Sequence, residues 1–111
     1  MLRRMMAATL RKHGFEVLQG SNGKEGVGLA RSHRPDLILS DVHMPETDGL
    51  TFLEALRKEP VTATIPVILI TGEPNEADAR QAKECGVAEY LTKPIPVPDL
   101  LAAINSHIRK Q

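Results

Sequence analysis

The chain has 111 residues, 41% of them hydrophobic, a composition that gives one globular domain with one core and excludes a disordered chain. Lys plus Arg and Asp plus Glu balance at 14 each, with one Tyr, two Phe and no Trp, so neither phosphate neutralisation nor base stacking is provided for and a nucleic-acid partner is not expected. No apolar run approaches the ~20 residues that span a bilayer, so no membrane partner is expected either.

The N-terminal MLRRMMAATLRKHG is basic and has no acid before Glu16, as a transit peptide would be, but its uninterrupted apolar part MMAATL is too short for a secretory signal. Leu2, Met5, Met6, Thr9, Leu10 and His13 recur at helical spacing, which predicts an amphipathic core helix capped by Gly14. Phe15 to Gly20 reads as a short strand. Asn22 is then a cap for a helix over Lys24 to Ser32, stopped by Pro35. Leu37–Ile38–Leu39 and Val67 to Ile70 are continuous apolar runs that do not alternate with polar residues, the pattern of strands buried on both faces. Between them, Gly49 to Lys58 reads as a helix with Leu50, Leu53 and Leu56 inward and Asp48 as its cap. Glu73 to Cys85 is a helix with a weak apolar face, ended by Gly86. Glu89 to Thr92 is a short strand. Val97, Leu100, Leu101, Ile104 and Ile108 mark a closing helix with Pro98 near its start. The lone cysteine, Cys85, excludes an internal disulfide, reads as a small apolar side chain at a helix end, and fits a reducing, cytoplasmic location.

The predicted order is αβαβαβαβα, which means a parallel sheet with helices on both sides. In such a sheet the functional crevice lies beyond the carboxyl ends of the strands. Asp41, Thr71 and Lys93 stand at three consecutive strand ends. Each alone is commonplace: an Asp there is most often a cap, Thr71-Gly72 a turn, Lys93 a solvated lysine. Together on one sheet edge they make chemical sense. A carboxylate attacks phosphorus to form an aspartyl phosphate, Lys93 supplies positive charge, and the Thr71 hydroxyl donates a hydrogen bond to the transferred group.

Three linked segments carry a family resemblance. DLILSDVHMPETDGL resembles the phosphoacceptor segment of response-regulator receiver domains, VILITG the strand with their switch hydroxyl, and AEYLTKPI the strand with their aromatic switch and lysine. The likeness covers essentially the whole chain and implies a flavodoxin-like doubly wound parallel sheet of the receiver type, forming a single domain over 1–111. It implies that Asp41 is phosphorylated by a sensor histidine kinase or phosphotransfer protein and that a downstream protein effector reads the result. Thr71 then turns inward to the phosphoryl group, Lys93 pairs with it, and Tyr90 is the rotating aromatic; as a residue, Tyr90 also reads as a half-buried strand aromatic. His43 and Glu73 stand where the family tunes phosphate lifetime, and the His43 backbone carbonyl joins Asp41 as a ligand to Mg2+. Pro45 and Gly49 shape the intervening loop. The Lys93-Pro94 bond matches one often cis in the family. The surface from the Glu73 helix to the last helix is the usual output face.

The sequence departs from the family at its start. Receivers begin with a strand ending in two adjacent acids that hold magnesium; here that strand and acidic pair are absent, which makes the domain N-terminally incomplete. Each fully buried aliphatic side chain contributes ~1.5–3 kcal/mol, so losing four or five removes roughly 10 kcal/mol, as much as a domain's typical net stability. Three outcomes are expected: a natural chain that starts earlier, a strand from another subunit filling the slot to give a dimer, or closure of the gap into a rearranged four-stranded sheet. Asp41 plus one carbonyl is a poor octahedral site, so magnesium is expected to bind weakly and phosphorylation to be slow. The competing readings are a phosphorylation-independent interaction module, or a fragment of a larger regulator, and an aspartyl-phosphate phosphohydrolase. The last requires a second Asp where His43 stands, so no enzyme activity is expected. Flavin binding lacks its Ser/Thr/Gly-rich phosphate loop.

Overall fold

In the computed structural model, residues 2–20, 22–42 and 48–108 are described. The elements run α1 (Leu2–Lys12), α2 (Gly23–His33), β1 (Ile38–Asp41), α3 (Gly49–Lys58), β2 (Val67–Thr71), α4 (Glu76–Glu84), β3 (Glu89–Thr92) and α5 (Val97–His107). The described strands form one parallel sheet in the order β1-β2-β3, with Ile38 opposite Val67 and Leu69 opposite Tyr90. Parallel neighbours need a crossover, and α3 and α4 provide the two that are seen.

Local chemistry sets most helix ends. The Asn22 side chain accepts from the Glu25 N–H at 2.9 Å, and Asp48 accepts from the Thr51 N–H at 2.8 Å, so both predicted caps are in place. Gly14 and Gly86 adopt the positive φ values, 91° and 74°, that end α1 and α4. Pro35 disfavours helical backbone for the residue before it, and Arg34 turns left-handed with φ 46° while its N–H still closes on Ala30. α4 begins at Glu76, three residues later than the composition suggests, because Asn75 caps it through the Asp78 N–H.

The sheet is packed on both faces. Val67 and Leu69 point towards Ala30 of α2, the buried Leu50, Phe52, Leu53 and Leu56 of α3, and Ala82 of α4. Ile68 and Ile70 point the other way, towards Leu10 of α1 and Leu100, Ala103 and Ile104 of α5. The alternation of neighbouring β2 residues between two cores is why its sequence is continuously apolar. The expectation for the helix faces needs two corrections. Val97 is 42% exposed, because α5 has only begun there, and Ala103 takes a core place instead. His13 is exposed, with Nδ1 against the Thr9 carbonyl at 2.9 Å, and Ala7 is buried in its stead.

Two further expectations fail. Residues 15–20 are neither strand nor helix, and the sheet among the described residues has three strands, not four. The gap does not close. Between residues 14–20 and β1 lies a cleft of about 830 Å³. Residues 15–20 have strand-like composition, but a strand exists only through its ladder, and among the described residues they join no sheet.

Candidate functional site

The carboxyl ends of the three strands converge. Asp41 closes β1, Thr71 closes β2, and Lys93 follows β3. The Val42 N–H donates to the Ile70 carbonyl at 2.9 Å and the Lys93 N–H to the Thr71 carbonyl at 2.8 Å, so the ladder continues one step beyond each outer strand and fixes both side chains at the rim. Lys93 Nζ lies 2.6 Å from Asp41 Oδ1. The two side chains are 33% and 37% exposed, so the pair contributes at most about 1 kcal/mol to stability. Its consequence is positional: a cation and a carboxylate are held together where solvent and a partner can still enter.

Behind Asp41 the backbone is tightly supported. The Gly49 N–H donates to the Val42 carbonyl at 2.6 Å. A side chain at Gly49 would collide with the Asp41 carbonyl and Val42 Cα, so only glycine lets α3 start this close to the carboxylate. Ser40 is buried and its hydroxyl donates to the Asp41 carbonyl at 2.9 Å. Ser40 was not singled out from the sequence, although a lone hydroxyl at the end of an apolar run was its signal.

Thr71 is buried, and its hydroxyl accepts from the Glu73 N–H at 3.0 Å, tying down the loop that carries Glu73. Glu73 itself is exposed. Tyr90 faces the α3–α4 side of the sheet, and its hydroxyl is buried with no hydrogen-bond partner among the described residues. Burial pushes the phenol pKa up, the Asp78 carboxylate adds to this, and the Asn75 backbone pulls it back only in part. The Lys93-Pro94 peptide is cis. His43 and Pro45 lie outside the described residues.

The expected acceptor, hydroxyl and lysine thus meet at one rim, with the aromatic on β3, the strand that leads to Lys93. Divalent-metal binding fits less well. Among the described residues no group of three or more His, Cys, Asp or Glu could hold a metal ion, and Asp41 is a single carboxylate already paired with Lys93. Magnesium prefers six oxygen ligands, and this set does not provide them.

The sequence matches the response regulator receiver domain over residues 1–105. The chain belongs to that family. Receiver domains of this kind are phosphoacceptor switches of two-component phosphorelays; they are signalling modules that interact with histidine kinases or phosphotransfer proteins and with downstream effectors, and they generally bind Mg2+ or a similar divalent ion. The chain is 42% identical to protein PilH of Pseudomonas aeruginosa over 101 residues, 91% of this chain and 84% of PilH. Its fold superposes on the Vibrio cholerae chemotaxis protein CheY4 with a TM-score of 0.90 at 30% identity, over 96% of this chain and 89% of CheY4. A Burkholderia pseudomallei response regulator, solved with a phosphorylated aspartic acid and a calcium ion, matches with a TM-score of 0.83 at 29% identity, over 92% of this chain and 59% of that protein. The α/β receiver architecture, with a parallel sheet between helices, is therefore the fold of this chain. No helix among the described residues is long and apolar enough to cross a membrane.

Proposed function

We propose that Asp41 is the residue of this receiver that accepts the phosphoryl group, and that the whole chain acts as one switching unit. The observation that carries this is the 2.6 Å approach of Lys93 Nζ to Asp41 Oδ1 at the rim of the sheet. A carboxylate oxygen of Asp41 attacks phosphorus; the new P–O bond forms as the P–N bond of a phosphohistidine breaks, and the electron pair leaves with the imidazole, which takes up a proton. Lys93 neutralises charge on the arriving phosphoryl oxygens, and the Thr71 hydroxyl leaves the Glu73 N–H to donate to one of them. Tyr90 follows. Its buried hydroxyl has no hydrogen-bond partner among the described residues, and outward rotation would give it water. Glu73, exposed at the rim, and His43 then set how readily water reaches the acyl phosphate.

The donor is a sensor histidine kinase or phosphotransfer protein and the output is a protein contact, read in the cytoplasm without nucleic acid or membrane. The balanced charge supports this reading. The chain is not itself an enzyme on this view. Magnesium binds weakly to it, because one paired carboxylate is a poor site. The same feature favours a second reading, a phosphorylation-independent interaction module.

The test is the intact mass after incubation with acetyl phosphate, with and without magnesium, for the wild type and Asp41→Asn. One added phosphate in the wild type alone is expected. No gain in a chain shown to be folded overturns the proposal in favour of the second reading. Magnesium affinity equal to that of PilH overturns the weak-binding expectation.

A further inference from the structure

α4 runs from one rim of the sheet to the other, and its two ends are held differently. Its amino end follows Thr71 at the carboxyl rim, where the site lies, and its carboxyl end leads through Gly86 into β3 at the opposite rim. The carboxyl end is pinned. The Arg57 guanidinium of α3 donates to the carbonyls of Cys85 and Gly86 at 3.0 and 3.1 Å, and to that of Ile65, just ahead of β2, at 3.0 Å. Gln81 donates to Glu54 of α3 at 2.7 Å, Ala82 is fully buried, and the Ala88 N–H joins the Val67 carbonyl at 2.8 Å. At the amino end, residues 72–77 are exposed, and the side-chain hydrogen bonds of the first turn stay within it, between Asn75 and Asp78.

We infer that Arg57 is a positioning residue for the switch: it fixes the carboxyl end of α4, so that the helix swings about Cys85–Gly86 and only its first half moves. The inference rests on the reading of Thr71 and Tyr90 as moving parts. Both of them support the amino end. Thr71 holds the Glu73 N–H at 3.0 Å, and the Tyr90 phenol lies close enough to the first turn to be influenced by the Asp78 carboxylate and the Asn75 backbone. Their departure releases that end and leaves the three Arg57 bonds in place, because the guanidinium stands at the other rim. Three bonds from one cation hold more firmly than single neutral ones. A helix bonded along its own axis moves as a rod, so a tilt at the pin is largest at the free end and least at the buried Ala82.

The experiment follows amide hydrogen exchange along α4 in the full chain, with and without beryllofluoride and excess magnesium as the phosphoryl probe, for wild type, Arg57→Lys and Arg57→Ala. In wild type, exchange at residues 75–79 should rise about tenfold or more with the probe, while 82–87 stay within about twofold. In Arg57→Ala the rise should extend to 82–87, and in Arg57→Lys in part, since one ammonium cannot hold three carbonyls. Wild type softened with urea to the stability of Arg57→Ala should keep the contrast between the two halves, which separates positioning from mere loss of stability. Loss of that contrast overturns the inference. So does an equal rise at both ends of the untreated wild type, or an Arg57→Ala chain in which 82–87 stay still. No response to the probe in folded wild type counts against the Asp41 reading instead, and Tyr90→Ala then decides, because it removes support from the amino end without phosphorylation. It should loosen 75–79 and spare 82–87; loosening of both overturns the inference.

Discussion

β1 and β2 lie side by side, paired residue for residue, and are built from the same kind of apolar sequence. Yet every residue of β2 is buried, whereas in β1 only Ser40 is. Ile68 and Leu69 have no exposed surface; Ile38 and Leu39, of equal size and type, keep a half-buried edge on the cleft. The difference teaches that place in the sheet, and not residue type, decides how much each strand contributes. The strand that carries Asp41, the proposed phosphoacceptor, is the less secured of the two, and loosely secured elements are the ones that move when a ligand arrives.

Four measurements sharpen or break this contrast, the strongest first. Leu69→Ala should cost about 3–4 kcal/mol in urea unfolding, whereas Leu39→Ala should cost roughly 1–2 kcal/mol, because a half-buried leucine has less apolar area to lose. Equal losses would mean that β1 is as enclosed in solution as β2 and that the cleft is filled. Next is Arg57, which belongs to the secured side. Its guanidinium donates to the carbonyls of Cys85, Ile65 and Gly86 at 3.0, 3.0 and 3.1 Å, tying α3 to the approaches of β2 and β3. Arg57→Ala should cost about 2–3 kcal/mol, and Lys should rescue less than half of it, since a single ammonium cannot span three acceptors set for a fork.

The third measurement is Tyr90→Phe, which removes a buried hydroxyl that has no hydrogen-bond partner among the described residues. Stability should stay level or rise by up to ~1 kcal/mol, read from the same urea curves. A loss beyond that would mean the hydroxyl has a partner in solution. The smallest effect belongs to the Arg31–Glu59 pair, which links α2 to the end of α3 at 2.6 Å on an exposed surface. The side-chain hydrogen bond from Arg31 lowers the Glu59 pKa from 4.5. The folded state therefore binds the proton less readily than the unfolded one. The contribution is present above the ordinary Glu value and fades as pH falls through the lowered one. Arg31→Ala should shift the melting temperature only slightly at neutral pH, less still at high salt, and not at all once Glu59 is protonated.

Much of the fold was legible from the residues, and so were the site candidates. Asn22 and Asp48 cap their helices as read, because a cap is a contact between residues three apart. Leu50, Leu53 and Leu56 face the core as their spacing requires, although Phe52, which lies on the helical edge of that stripe, is buried as well. Asp41, Thr71 and Lys93 were placed on one rim because parallel strands ending in polar residues must present them on the same edge. The segment 15–20 was misread. Phe15, Val17 and Leu18 have strand composition, but composition cannot supply a neighbour. The cleft could be anticipated only as one of three outcomes, since nothing local distinguishes a gap that closes from one that stays open.

What the sequence determined by itself are the helices, most of their caps, the doubly buried character of β2 and the order of the three polar residues along the chain. These rest on hydrogen bonds and periodicities confined to a few residues. The tertiary structure alone decided that β1 lies at the edge of the described sheet, that Lys93 Nζ comes to 2.6 Å from Asp41, that Thr71 ties its own loop and that residues 15–20 stay out of that sheet. A helix satisfies its own backbone within four residues, but a strand takes its partner from elsewhere in the chain, and only the assembled sheet fixes which partner is there.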